Sequence, residues 1–136
     1  MGKNLKELQD QIIERYRMTI DEHSTCRMRM HVHPRERRIC KWHPKSSALA
    51  TFELLHEIGH CENNNSKMRR CEQEYYATEW ALRKCEEYGI NVPQDVIDRY
   101  QRYIDRELDR GLRRGGLGYP SKEEMTLKGA RRKVLL

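Results

Sequence analysis

The feature that most constrains this chain is the segment His56-Glu57-Ile58-Gly59-His60. Residues four apart on an α-helix lie one above the other on the same face, about one turn apart. His56 and His60 can therefore direct their imidazole nitrogens at a single metal ion. The segment therefore predicts a helix that presents both histidines on one face.

The residues ahead of this segment support a buried helix. Apolar side chains recur at three-residue spacing and form one core-facing stripe: Leu49, Phe52 and Leu55. Ser46 or Ser47 is the expected N-cap. Gly59 costs about 1 kcal/mol relative to alanine inside a helix. We therefore expect a close neighbour at Gly59, since a side chain there would obstruct a neighbouring strand or the water of the site.

Glu57 adds a base to the histidine pair. The pattern His-Glu-x-x-His is typical of zinc hydrolases, in which the histidines bind the metal and the glutamate activates water. We predict that His56 and His60 are ligands of Zn²⁺ and that Glu57 is the catalytic base. A chain with this site would be a zinc-dependent hydrolase, and specifically a metallopeptidase that acts on a protein substrate.

A catalytic zinc ion needs a third protein ligand and one open position for water. A polar break follows the motif, and a second helical pattern then runs over residues 68–85. Glu72 is the first choice for the third ligand and Glu74 is the alternative. Taken singly, Glu74 and Glu79 fit a solvated helix face, where glutamates usually lie.

A peptidase also needs a donor for the oxyanion that forms in the transition state. The candidates near the motifs are two adjacent tyrosines, Tyr75 and Tyr76, and a histidine before the motif helix, His43. The residue types do not choose among them. A surface position is the ordinary alternative for His43.

Cys40 and His43 have the C-x-x-H spacing of half a structural zinc site, and His31 and His33 lie nearby in the sequence. The usual second ligand pair at finger-like spacing is missing. A second, structural metal at Cys40 and His43 is therefore a weaker hypothesis than the site on the motif helix.

The two motifs together resemble the ImmA/IrrE family of zinc metallopeptidases, which are gluzincin-like. In that family the second helix typically reads Glu-Ala-Asn-x-Phe-Ala-Ala-Glu-Leu, and residues 72–80 resemble it. On that pattern Glu72 falls at the metal-binding glutamate and Tyr76 at the aromatic core position, whereas Gln73 and Glu74 depart from it. The resemblance is confined to residues 39–85.

The resemblance implies a substrate and a setting as well as a fold. Members of the family are intracellular, are often encoded on phages or other mobile elements, and cleave helix-turn-helix repressors. It therefore implies a cytoplasmic hydrolase whose partner is a DNA-binding repressor.

Outside the motifs, the sequence predicts an α+β fold that is mostly helical, with a small antiparallel β-hairpin beside the motif helix. Helical periodicity predicts an N-terminal helix over 4–18 and a last helix over 93–112. Alternating residues predict strands at 26–32 and 38–42. We expect a single zincin-like domain over 1–112 and a basic, glycine-containing, loosely docked tail over 113–136, with a short apolar anchor at 134–136.

Composition indicates the cellular compartment that suits this chain. The chain of 136 residues carries five cysteines and has no apolar run of the ~20 residues that cross a bilayer. No signal-peptide pattern precedes the first helix. An odd number of cysteines fits a reducing compartment, so we expect a cytoplasmic location and no membrane partner.

The net charge of +6 favours one competing function. Basic surfaces bind nucleic acid through phosphate contacts, so a nucleic-acid-binding protein is the leading alternative. A non-catalytic binding module on a zincin-like fold is a third hypothesis. The base at Glu57 argues against that module, because a protein that only binds has no need of it.

Overall fold

The computed structural model describes residues 4–21, 30–63 and 67–128. The elements in these ranges are, in chain order, α1 (Leu5–Arg15), β1 (Thr19–Asp21), β2 (His31–His33), a single 3-10 turn (Pro34–Glu36), β3 (Arg38–Cys40), α2 (Ala48–Glu62), α3 (Arg70–Glu87) and α4 (Gln94–Arg113). The fold is mostly helical with one small sheet, which confirms the α+β class.

The sheet has the strand order β1-β3-β2. β2 and β3 are antiparallel, as expected for the hairpin. β1 pairs with the other edge of β3 in parallel, so the sheet is mixed and the expectation of a purely antiparallel hairpin is corrected. Strands of three residues are too short to show an alternating pattern, which is why β1 has no signal in the sequence. Residues 26–29 of the expected first strand lie outside the described ranges.

α1 begins after Asn4, whose side chain caps the helix by accepting a hydrogen bond from the Glu7 backbone N–H at 3.2 Å. It ends three residues earlier than expected, because Arg17 adopts a positive φ of 54° and turns the chain into β1. Gln9 and Ile12 are its buried residues. α1 therefore covers one side of α2.

α2 is the central helix of the fold. Ser47 caps it by accepting a hydrogen bond from the Ala50 backbone N–H at 3.1 Å, as predicted. Most of its residues are buried on several sides, among them Phe52, Leu55 and Ile58. The helix contacts α1, the sheet and, most extensively, α3. α2 is therefore the buried helix that the apolar residues before the histidine motif predicted.

The close contact between α2 and α3 explains Gly59. A Cβ atom at this position would lie 2.7 Å from the backbone oxygen and 3.0 Å from the Cα of Ala77. Backbone atoms cannot move aside as a side chain can, so only glycine allows the two helices to approach this closely. The predicted need for glycine holds, but the obstacle is the backbone of a helix and not a strand.

The expectation of a loosely docked tail from Arg113 needs correction for residues 119–128. Met125 and Leu127 are buried in the core. The Gln101 side chain on α4 accepts a hydrogen bond from the Leu127 backbone N–H at 2.7 Å, and buried Glu79 accepts one from the Lys128 backbone N–H. The segment therefore packs across α3 and α4. The anchor expected at 134–136 lies outside the described ranges.

Among the helices of the described ranges, none combines the length with the apolar composition that a bilayer crossing requires.

Candidate metal centre

The two motif histidines face each other along α2. Their ring centroids are 4.8 Å apart and the rings are nearly perpendicular. His56 is buried, with 6% of its surface exposed, and His60 is partly accessible. The four-residue spacing therefore places both imidazoles on one face of the helix, as predicted.

Glu74 on α3 completes the cluster. One oxygen of its carboxylate lies 3.3 Å from Nε2 of His56 and the other lies 3.5 Å from Nε2 of His60. Zinc binds histidine nitrogen and carboxylate oxygen at about 2.0–2.2 Å, which puts tetrahedral ligand atoms roughly 3.3–3.6 Å apart. The spacing of Glu74 from each histidine thus fits shared ligation of one small divalent ion, and one ligand atom from each of the three residues lies within 4.8 Å of the others.

Nε2 of His56 provides a test of whether a metal ion fits. This buried atom makes no well-formed hydrogen bond within the described ranges, although a carboxylate oxygen of Glu74 lies 3.3 Å away. Buried polar atoms are rarely left unsatisfied, because losing hydration without a replacement contact is unfavourable. A cation between the two histidines and Glu74 would satisfy the atom. Two imidazoles and a carboxylate also form a ligand set that catalytic zinc sites use.

The charges of the cluster are strongly coupled. Burial lowers the pKa of His56, but the carboxylates of Glu57 and Glu74 outweigh burial and raise this pKa from 6.5 to about 9. Burial raises the pKa of Glu74, but His56 and His60 outweigh burial and hold this pKa well below its usual range. Without a metal the cluster binds protons instead, and a divalent cation would replace them.

Glu57 lies at the edge of the cluster. One of its carboxylate oxygens is 3.7 Å from Nδ1 of His56, on the opposite side of the ring from Glu74. Its side chain is 18% exposed, against 6% for Glu74. Glu57 is therefore the carboxylate of the site that water can reach, which suits a base more than a buried ligand.

Glu72, the first choice for the third ligand, lies elsewhere. Its Oε1 accepts a hydrogen bond from the Arg69 backbone N–H at 3.2 Å and closes the first turn of α3 as a cap. At about 100° per residue, Glu72 is roughly 140° around the helix from Ala77, which contacts α2, whereas Glu74 is about 60° away. The structure therefore places Glu74, the alternative, beside the two histidines, and not Glu72, the first choice.

The structure also corrects the expected exposure of Glu74 and Glu79. Both glutamates were expected on a solvated face, yet each is less than 9% exposed. Glu74 lies between the two histidines, and Glu79 is bonded to the segment that follows α4.

The ring of Tyr100 on α4 packs against His56. Its centroid is 5.0 Å from that of His56. Of the predicted donors, Tyr75 is buried in the core, Tyr76 is exposed and packs against it, and His43 is exposed. Tyr100 falls in the apolar stripe of α4, so the sequence indicated only a core residue.

A small opening lies beside His60. Its walls are Pro34, His60, Asn63 and Gln73, and its volume is about 30 Å³. A site needs about 10–15 Å³ of such space to hold one water molecule, so the opening has room for roughly two. Solvent can therefore reach the cluster from the side of His60.

No family model matches this chain, and neither a curated protein nor a solved structure matches it. The resemblance to the ImmA/IrrE family in residues 39–85 stays a prediction.

Proposed function

We propose that this protein is a zinc-dependent metallopeptidase with a zincin-like site, which hydrolyses a peptide bond in a protein substrate. One observation carries the proposal. Nε2 of His56 and Nε2 of His60 lie 3.3 Å and 3.5 Å from the two oxygens of the Glu74 carboxylate, and one ligand atom from each of the three residues lies within 4.8 Å of the others. Three such ligands leave the fourth position of a zinc ion open.

A zinc ion held by His56, His60 and Glu74 would supply Lewis acidity, which acidifies water and polarises a carbonyl group. Glu57 would turn its carboxylate from Nδ1 of His56 toward the attacking water, accept the proton of that water and then deliver it to the leaving amine. Its partial exposure permits this exchange. Glu57 also lies near Nδ1 of His56, where a carboxylate favours the tautomer that keeps Nε2 available as a ligand.

Tyr100 is the donor that the packing favours for the oxyanion. Burial, reinforced by the nearby carboxylates of Glu53 and Glu57, raises the pKa of its phenol well above the usual range. The phenol therefore keeps its proton at neutral pH and can donate it in a hydrogen bond to an anion. Tyr75, Tyr76 and His43 stay predictions in this role.

The substrate proposal follows from the resemblance to the ImmA/IrrE family. It implies a helix-turn-helix repressor as the substrate, in the cytoplasm of a cell that carries a phage or another mobile element. The net charge of +6 suits a protein that works close to DNA-bound targets, because basic surfaces are attracted to nucleic acid.

The test combines metal analysis with one matched pair of variants. Metal content is measured first, which also shows whether the ion is zinc. Activity is then measured at saturating zinc on a helix-turn-helix repressor encoded beside this chain. Glu57→Gln is expected to retain the metal and lose about 10²–10⁴-fold in rate. Glu62→Gln, on the same helix but paired with Arg37 at the surface, is the control and should remain active.

Two results would contradict the proposal. One is a folded chain that binds no stoichiometric metal. The other is undiminished hydrolysis by Glu57→Gln at saturating zinc, which would remove Glu57 from the chemistry. If Glu57→Gln instead weakens zinc binding by ~10–100-fold and retains its maximal rate, then Glu57 only orients His56.

A further inference from the structure

The small sheet places three metal-binding side chains on one of its faces. His31 on β2 pairs directly with Cys40 on β3, and residues paired across strands point to the same face. His33 is two residues after His31 and therefore shares that face. The rings of the two histidines contact each other, with centroids 5.1 Å apart.

The donor atoms of this group are close together. One nitrogen of His31, one nitrogen of His33 and the sulfur of Cys40 all lie within 4.8 Å of one another. Cys40 is 1% exposed, and the two histidines are half-buried. Thiolate and imidazole are the ligands that zinc prefers in closed sites, where they bind at about 2.3 Å and 2.0–2.1 Å.

The side chain of Arg38 holds the Cys40 sulfur in place on this face. Nη1 of Arg38 donates to the sulfur at 3.4 Å and to Asp21 at 3.0 Å. The same guanidinium also pairs with Glu36 at 2.6 Å, so two carboxylates balance its charge. Hydrogen bonds of this kind fix the position of a metal-ligating side chain.

Asp21 adds an oxygen beside the group. It pairs with Cys40 across β1 and β3, so it points to the same face of the sheet. Its Oδ2 lies 4.0 Å from the Cys40 sulfur. The row Asp21, Cys40 and His31 thus crosses all three strands, and His33 stands next to it.

We infer that this sheet face is a second metal site, in which His31, His33 and Cys40 bind a zinc-class divalent ion and Asp21 is the nearest fourth ligand. The site is distinct from the one on α2, since the two share no residue and only this one contains sulfur. It joins three strands of three residues each. Its role is to hold the sheet together. The inference does not depend on the proposed peptidase activity.

This site replaces the weaker hypothesis of a metal at Cys40 and His43. Cys40 belongs to the new group, but His43 is exposed and is not one of the residues grouped with it.

Cobalt provides a direct test, because a thiolate bound to Co²⁺ gives an intense near-ultraviolet charge-transfer band and nitrogen or oxygen ligands do not. The full chain, stripped of metal, is titrated with Co²⁺. Two equivalents are expected to bind, and one of them should produce the thiolate band. A double variant, His56→Ala with His60→Ala, should bind one equivalent and keep the band.

Cys40→Ser is expected to lose the band and one equivalent of metal while the other equivalent remains. Cys85→Ser, which changes an equally buried cysteine on α3, and Cys61→Ser, beside His60, are the controls and should keep the band. His33→Gln alters a half-buried position and should weaken the thiolate-bearing site. It gives an independent result if Cys40→Ser does not fold, as judged by circular dichroism.

The inference is overturned if the folded full chain binds a single equivalent without a thiolate band. It is overturned equally if a band survives Cys40→Ser or is unaffected by His33→Gln. A result in which the site on α2 fails to bind and the thiolate band still forms would contradict the proposed function and support this inference.

Discussion

Glu74 is confined more tightly than any other carboxylate near the motif histidines. Its oxygens face both imidazoles, and Arg70 approaches one of them to 3.4 Å from the preceding turn. A buried carboxylate is stable only with such partners, because burial of an unpaired charge is strongly unfavourable. The same confinement fixes the carboxylate in position for a metal, so no large rearrangement is needed when an ion binds.

The roles of the two glutamates are separable by mutation. Glu74→Ala is expected to weaken zinc binding by more than the ~10–100-fold that loss of an outer partner costs, because a direct ligand is removed. Glu72→Ala should leave zinc binding unchanged and destabilise the first turn of α3 by about 0.5–2 kcal/mol, since it removes a cap. Competition with a zinc chelator and urea unfolding measure the two effects. Equal zinc affinity in both variants would contradict this assignment.

The coupled charges of His56 and Glu74 predict an unusual pH profile for the metal-free protein. The pKa of His56 is raised from 6.5 to about 9, so its contribution to stability is complete below pH 6.5 and is lost as pH rises to 9. The pKa of Glu74 is lowered from 4.5, so its contribution is present above pH 4.5 and is lost in acid. Stability from this pair therefore peaks between about pH 4.5 and 6.5.

Thermal unfolding of the chelated protein across this range tests the profile. The melting temperature should fall between pH 6.5 and 9, and His56→Gln should remove that fall. With zinc present the trend should reverse, because metal and protons compete for the same nitrogen. A flat profile for the metal-free chain between pH 6.5 and 9 would show that His56 and the two carboxylates are not coupled.

At the scale of elements, the contact of α2 with α3 determines the distances between the side chains of the candidate metal centre. Gly59 lies between the two motif histidines in the sequence and touches the backbone of Ala77, one turn after Glu74. The separation of the two helices therefore controls the separation of the ligands. A change that pushes the helices apart would also separate the carboxylate from the imidazoles.

Gly59→Ala tests this link. In an ordinary helix the change would stabilise by up to about 1 kcal/mol through propensity. Here the added methyl would lie 2.7 Å from a backbone oxygen, so we expect net destabilisation by about 1–3 kcal/mol and weaker zinc binding. Urea unfolding and zinc competition measure the two quantities. An increase in stability would show that the helices do not approach so closely.

A buried glutamine joins α1 to the start of α2. The Gln9 amide donates to the Lys45 backbone oxygen at 2.7 Å and to Thr51 Oγ1 at 2.9 Å, and accepts from the Lys45 backbone N–H at 3.1 Å. Gln9→Leu keeps the bulk but leaves these partners unsatisfied, so a loss of about 1–3 kcal/mol is expected for each unpaired group.

Gln94→Leu is the matched control for Gln9→Leu, since its amide makes one exposed hydrogen bond to Asp98, and it should change stability by less than about 0.5 kcal/mol. A double-mutant cycle with Thr51→Val separates the contribution of the hydroxyl. Equal effects of the two leucine variants in urea unfolding would contradict the network.

For the molecule as a whole, features that depend on local sequence patterns could be predicted, and features that depend on contacts between distant residues could not. The four helices were predicted to within a few residues, because each carries a long periodic pattern or a recognisable cap. β1 was not predicted, because its three residues are too few to show a period. The packing of residues 119–128 was not predicted either, because the burial of Met125 and Leu127 depends on contacts with distant helices.

The residues of the candidate site also differ in whether local sequence predicts them. His56 and His60 follow from spacing along one helix. The choice of Glu74 over Glu72 depends on the rotation of α3 against α2, which no local pattern encodes. Tyr100 reaches the site only through the packing of α4, so its periodic position indicated a core residue and nothing more.

Metal removal provides a prediction for the whole fold. A ligand that binds only the folded state at one hundred times its dissociation constant stabilises that state by about 2.7 kcal/mol, which in a domain of this size raises the melting temperature by roughly 10 °C. Chelation should therefore lower the melting temperature, and added zinc should restore it. Replacing both motif histidines with alanine should remove the part of this shift that comes from the site on α2. Cys40→Ser should remove the part that comes from the sheet. Because the two sites share no residue, the two losses of melting temperature should add to the full shift. A melting temperature that does not change on chelation would exclude a metal at either site.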